Sequence, residues 1–292
     1  MPNLFRGRSL TSNIAVSSLR KALGPDTIWD VRELDWFSKN SYNLVIKNIS
    51  TWSPRHSLRM LTCCIAFIDH YPKGISDQIS DDLCLRKMFC EFSATTALLA
   101  LARGEDNIEV QLQDYLDLRK HVDSFDCLLQ DKTGLLGEEA EEDLLRKLSI
   151  LIVFDFEAAC HLKAWDDLPE VLIKADCCKS QRMYELMADC VLCSQAPTQG
   201  LSLVLLPPRI QELIIFIVLV SVLKKIVNAA WGLDTMDVQK LAKYMRCLFQ
   251  VAMLDNMEVA EQLLDQAHEQ AKEAAEVNLL LFIIKNRTLM MK

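Results

Sequence analysis

Apolar residues recur along this chain with the period of an α-helix almost from end to end, and the pattern predicts a succession of amphipathic helices. Leu58, Leu61, Ile65 and Ile68 fall on one helical face. Leu85, Met88, Phe89, Phe92, Thr96 and Leu99 form a second stripe, with Gly104 placed to cap its C-terminus. Ile108, Leu112, Tyr115, Leu118, Val122, Phe125 and Leu129 make a third, and Leu144, Leu148, Leu151, Ala158, Leu162 and Trp165 a fourth. Met183, Leu186, Met187, Cys190 and Cys193 line up next. Val238, Leu241, Ala242, Met245, Leu248, Phe249 and Ala252 follow, and then the alanine-rich run from Ala260 to Ala275. No alternating strand pattern of comparable length occurs.

Breaks between the stripes are short: Ser53-Pro54, Pro72 to Gly74, Lys132 to Gly137, Ala196 to Gly200 and Leu254 to Met257. Short connections make successive helices antiparallel neighbours, and each one-sided stripe then buries itself against the next. The expected fold class is all-α: stacked antiparallel helical hairpins, a degenerate tetratricopeptide-like solenoid. The spacing of comparable hairpins, about 35 to 45 residues, is too irregular to name the repeat. The expected organisation is an N-terminal segment over 1–29, a helical-repeat region over 30–276 and a divergent apolar tail over 277–292, with an atypical insertion at 200–222 inside the repeat region. That insertion holds Leu213 to Leu223, apolar on all sides and short of the ~20 residues that span a bilayer. Both it and the tail read as translated intron rather than evolved structure, with a buried helix or a membrane anchor as the alternatives for the insertion.

Composition narrows the function classes. The chain has only 8 Gly, too few for phosphate-cradling loops, and no nucleotide-binding or hydrolase motif occurs. Its net charge of -8, with no basic cluster, argues against direct binding of nucleic acid, a polyanion. The 11 Cys are scattered through apolar helical patterns and read as small buried hydrophobes. The first 25 residues hold Arg6, Arg8, Arg20 and Lys21 without an acid, as a mitochondrial presequence would, although one more helix is the plainer reading. The acidic run Glu138, Glu139, Glu141, Glu142 and Asp143 suits the start of a helix, where negative charge complements the dipole.

Candidate chemistry is sparse. Cys160 and His161 are sequence neighbours, but adjacent helical positions diverge and make no dyad. Cys177, Cys178, Cys190 and Cys193 supply four thiols, yet no turn residues flank them as in a zinc knuckle, and packing in the core is the preferred reading. No catalytic, cofactor-binding or metal-binding residue is assigned, no small-molecule ligand is expected, and the protein reads as no enzyme. The most distinctive string is DWFSKNSYNL from Asp35 to Leu44. On a helix, Trp36, Asn40, Asn43 and Lys47 share one face. Asn is a mediocre helix former, so two on one stripe suggest a partner's backbone as their ligand. The alternative is that they satisfy a nearby turn or face water.

That string, with RMLTCCIAFIDHYP from Arg59 to Pro72, FDFEAACHLKAW from Phe154 to Trp165 and LAKYMRCLFQ from Leu241 to Gln250, resembles the meiosis-specific sporulation family called Zip-four in yeast. The resemblance runs from about Asp30 to Glu276. It implies a non-enzymatic, tetratricopeptide-like scaffold in the nucleus, on meiotic chromosomes. It also implies partners among the proteins that support crossover formation and assemble the synaptonemal complex. The chain departs from the family in corresponding only to the C-terminal part of a longer scaffold, in the 200–222 stretch, and in changing character after Glu276. Two rivals stand beside this reading. One is a generic helical-repeat adaptor of a chaperone or degradation complex, which a Lys/Arg clamp in a groove would favour. The other is an organelle- or membrane-associated helical protein.

Overall fold

A computed structural model of the chain describes residues 30–193 apart from 73, 133, 135 and 136, then 208–233 and 237–255; the side chains of 208–217, 238 and 249–255 lie outside that description. Nine α-helices and two 3₁₀ turns make up the described residues, and none of these residues is in a strand. The chain divides into two compact units, 1–158 and 159–292.

The first unit contains α1 (Val31–Asn48), α2 (Pro54–Asp69), α3 (Asp77–Arg103), α4 (Ile108–Lys132) and most of α5 (Glu138–His161). Short polar side chains start these helices. Asp30 and Glu33 form a reciprocal capping box at α1. Ser53 Oγ accepts from the His56 amide at 3.4 Å, with Pro54 in the first turn of α2 where its missing N–H costs nothing. Asn107 Oδ1 accepts from the Glu109 amide at 3.0 Å at α4. Glu138, Glu139 and Glu141 do open α5, as the dipole argument requires.

α1 packs against α2, α2 against α3 and α3 against α4. α3 lies against both α2 and α4 and, from Leu83 onward, buries more than half of its residues, Met88, Cys90, Ala94, Leu98 and Ala102 among them. The single stripe predicted for it is therefore wrong in phase: Leu85 and Thr96 are exposed. α2 buries Ser57, Leu61, Cys64 and Phe67, so its inner face is rotated from the predicted Leu58–Ile68 stripe. The α4 stripe holds from Tyr115 to Leu129, while Ile108 is exposed. Gly104 caps α3 as expected, its amide donating to the Leu101 carbonyl.

In the second unit, α6 (Leu168–Lys174), α7 (Gln181–Cys193), α8 (Pro208–Trp231) and α9 (Val238–Asp255) follow the end of α5. α5 stops at His161 because Lys163 takes a left-handed φ of 58° and the Ala164 amide bonds back to the Ala159 carbonyl. α7 and α9 both pack on α8. From Leu219 onward α8 buries Leu219, Val222, Leu223, Ile226, Val227 and Ala230 and exposes Ser221, Lys224, Lys225 and Asn228. Its backbone runs unbroken through Val222, where the insertion was expected to end. Residues 200–207 of that insertion, the 1–29 segment, the alanine-rich run and the 277–292 tail lie outside the described residues.

An ion pair on a buried carboxylate ties α7 to α9. Glu185, 4% exposed, accepts from the Lys240 ammonium and from Gln181 Nε2 at 2.7 Å. Burial alone would raise its carboxyl, but the Lys240 and Gln181 hydrogen bonds outweigh it and hold the carboxyl below its ordinary value. A lowered folded-state value gives stability that is present above the unfolded value and lost as pH falls through the folded one. The thermal midpoint of the wild type should therefore exceed that of Glu185→Gln above about pH 5, with the gap closing towards about pH 3. Midpoints that stay parallel across that window would show that Glu185 contributes nothing through ionisation.

Candidate functional site

α1 buries Leu34, Ser38, Ser41 and Val45, spaced four, three and four apart. The two serines keep the inner face small, so α2 packs closely on it. Val45 shares a core cluster with Leu61, Cys64, Cys90 and Ala94. Ser41 Oγ donates to its own helix at the Phe37 carbonyl, and the Cys64 thiol donates to the Ser38 carbonyl at 3.3 Å. Within the cluster, the hydrogen bond between the two buried thiols holds Cys64 below and Cys90 above the ordinary thiol range.

Burial of that face turns the other one outward. Trp36, Asn40, Asn43 and Lys47 are all exposed, and Leu44 and Ile46 lie exposed beside them. Trp36 is 61% exposed, so a role in the core is ruled out for it. Its ring meets Phe37 edge-on at 5.0 Å, and Phe37 stacks on Phe67 at 5.1 Å, which orients the indole without burying it. Asn40 Nδ2 donates to the Trp36 carbonyl at 2.7 Å, a local bond that explains how α1 tolerates this Asn.

Beside the stripe, α1 and α3 enclose an open groove of about 580 Å³. Val31, Arg32, Asp35 and Lys39 form one wall, Ile79 and Leu85 the other. Lys39, Asp82 and Leu85 also border an adjoining hollow of about 410 Å³ with Tyr42, Asn43 and Arg86. Asn43 is thus the one predicted residue that lines the adjoining hollow, and none of the four lines the groove itself.

A polar network crosses the groove floor. Arg86, only 8% exposed, donates to Ser38 Oγ at 3.0 Å and to Asp82 at 2.7 Å, and stands 3.9 Å from Asp35. Lys39 donates to Asp35 at 2.7 Å, and Tyr71 reaches the same carboxylate at 3.5 Å. Buried guanidinium is tolerated only when paired and hydrogen-bonded, and Arg86 is both. Sequence reading missed this set. The Asp35–Lys39 pair had a signal in its four-residue spacing, and Arg86 in being a charge inside an apolar run. Nothing local points to Tyr71, which arrives from the end of α2.

The other candidates separate. Cys160 is buried and His161 exposed, so the neighbours do diverge. Cys177 and Cys193 are exposed, and Cys178 and Cys190 half-buried, which corrects the core-packing reading of all four. Among the described residues no three His, Cys, Asp or Glu are placed to hold a metal ion. Glu91, Ser124 and His121 join α3 to α4 instead: Ser124 Oγ donates to the buried Glu91 at 2.8 Å, and His121 Nδ1 pairs with its other oxygen. Also among those residues, no helix is long and apolar enough to cross a membrane. Comparison of the chain with family models, curated proteins and solved structures yields no match.

Proposed function

We propose that this protein is a non-enzymatic protein-binding scaffold of meiosis. Its helices stack as tetratricopeptide-like hairpins, and it acts in the nucleus, on meiotic chromosomes, among proteins of the crossover and synaptonemal-complex machinery. The observation that carries the reading is the outward stripe of Trp36, Asn40, Asn43 and Lys47. Trp36, Asn40 and Asn43 lie in the distinctive string from Asp35 to Leu44 at which the resemblance begins, with Lys47 just beyond it, and the stripe combines an exposed aromatic with amides that can hold a partner's backbone. The succession α1–α2 and α3–α4, each helix packed on the next, with a groove between α1 and α3, supports a hairpin stack. The adaptor alternative asked for a cationic clamp. Arg32 and Lys39 line the groove and Arg86 the adjoining hollow, but Asp35 and Asp82 neutralise two of them, which favours the scaffold reading.

Full-length tagged protein recovered from meiotic cells should bring crossover and synaptonemal-complex proteins with it, identified by mass spectrometry. Trp36→Ala should weaken that association about tenfold or more, as truncation of an interface Trp does. The same change should alter folding stability by only about 0.5 kcal/mol, because the indole is mostly exposed. Asn40→Ala should act in the same direction on binding and leave the helical signal unchanged. Recovery of chaperones or mitochondrial proteins, insensitive to both substitutions, would end the meiotic reading.

A further inference from the structure

The groove between α1 and α3, taken together with the hollow that adjoins it, has an unbalanced charge. Arg32 and Lys39 line the groove and Arg86 the hollow, against two carboxylates, Asp35 and Asp82. Lys39 pairs with Asp35 at 2.7 Å and Arg86 with Asp82 at 2.7 Å. Among the described residues Arg32 has no ion-pair partner; only its backbone amide is engaged, by Asp30. Around it the groove offers apolar surface that nothing in the described residues covers: Ile79 is 44% and Leu85 40% exposed, with Val31 half-buried. Asn43 stands in the adjoining hollow with amide groups for a backbone.

We propose that this groove docks an apolar segment of a partner protein through a single Asp or Glu side chain paired with Arg32, its apolar residues resting on Ile79 and Leu85. The inference rests on the scaffold reading and adds the chemistry of the bound segment. Charge complementarity selects the occupant. A basic segment would find both carboxylates already taken and would meet Arg32 as a like charge. Capture of a chain's terminal carboxylate needs several free cations, and the groove keeps one. A second copy of this chain carries the same net charge of -8 and is repelled at long range.

The test uses the full chain as bait for a displayed library of random dodecapeptides, with Leu85→Asp as the counter-selection. Both Arg32 and Leu85 are exposed, so their variants should keep the wild-type circular dichroism. Peptides lost on Leu85→Asp should be apolar with one recurrent acid. Made synthetically and amidated at the C-terminus, they should bind Arg32→Glu at least about tenfold more weakly by fluorescence anisotropy. Replacing the peptide's acid by Lys should restore binding to Arg32→Glu. Enrichment of basic or uncharged peptides, affinity indifferent to Arg32→Glu, or loss of binding on amidation would each overturn the proposal. So would a dimer in sedimentation that Leu85→Asp abolishes, which would assign the groove to a second copy. Recovery of meiotic proteins that depends on Asn40 but not on Arg32 or Leu85 would refute the groove while leaving the scaffold reading intact.

Discussion

Phe125→Ala should lower the free energy of unfolding by about 4 kcal/mol, measured by urea denaturation followed through the helical signal. Phe125 is fully buried on the α4 stripe with Tyr115, Leu118, Val122 and Leu129. Truncating it removes the transfer free energy of a phenyl ring and leaves a cavity. The depth of the loss depends on how far the neighbours collapse into the space. Here α4 leans on α3, which is itself packed against α2, so little movement is available. The comparison with Trp36→Ala is instructive, since the larger aromatic should cost far less. A loss under about 1 kcal/mol for Phe125→Ala would mean that the α3–α4 core is not packed as described.

The second large effect is electrostatic. Arg119 Nε donates to Asp155 Oδ1 at 2.7 Å, joining α4 to α5, and the Asp155 side chain is 3% exposed. Arg119→Ala leaves that carboxylate buried without its guanidinium and should cost about 3 kcal/mol. Exposed pairs set the contrast: the Glu142–Arg146 pair on the surface of α5 should contribute no more than about 0.5 kcal/mol. Adding Asp155→Leu to Arg119→Ala removes the stranded charge and should recover most of the loss, since a well-packed apolar pair replaces a buried ionic one at little cost. The two-variant cycle checks this in the same denaturation experiment. If Arg119→Ala costs no more than the surface pair, or if Asp155→Leu deepens the loss, the pair is not structural.

The helical class, the break at Ser53-Pro54 and the acidic start of α5 were legible because they depend on local properties: a 3.6-residue period, a proline, and negative charge at the start of a helix. The inner faces were read less well. In α2, Leu and Ile outweighed Ser57 and Cys64, yet small side chains are what the close packing with α1 and α3 selects. In α3 no single face exists to be found, because both flanks are covered. The end of α5 was overrun since its left-handed residue is Lys163, and sequence reading waits for Gly there. The outward stripe of α1 needed only periodicity, so its four residues were grouped on one face, which is the exposed one. The groove was invisible for a different reason. Arg86 meets Ser38 across 48 positions of sequence, and only the packing of α2 between the two helices brings them together.

The placement of α3 has a kinetic corollary. A helix flanked on both sides cannot lose its own structure without uncovering α2 and α4 as well, so its backbone amides can exchange with solvent deuterium only through the largest opening available to the first unit. Among the described helices α1 packs chiefly on α2 and so opens at lower cost than α3, and it is α1 that presents the outward stripe. α1 thus opens more readily than α3, and an occupant seated on its outward stripe would register as slowed exchange in α1 long before any change reached α3.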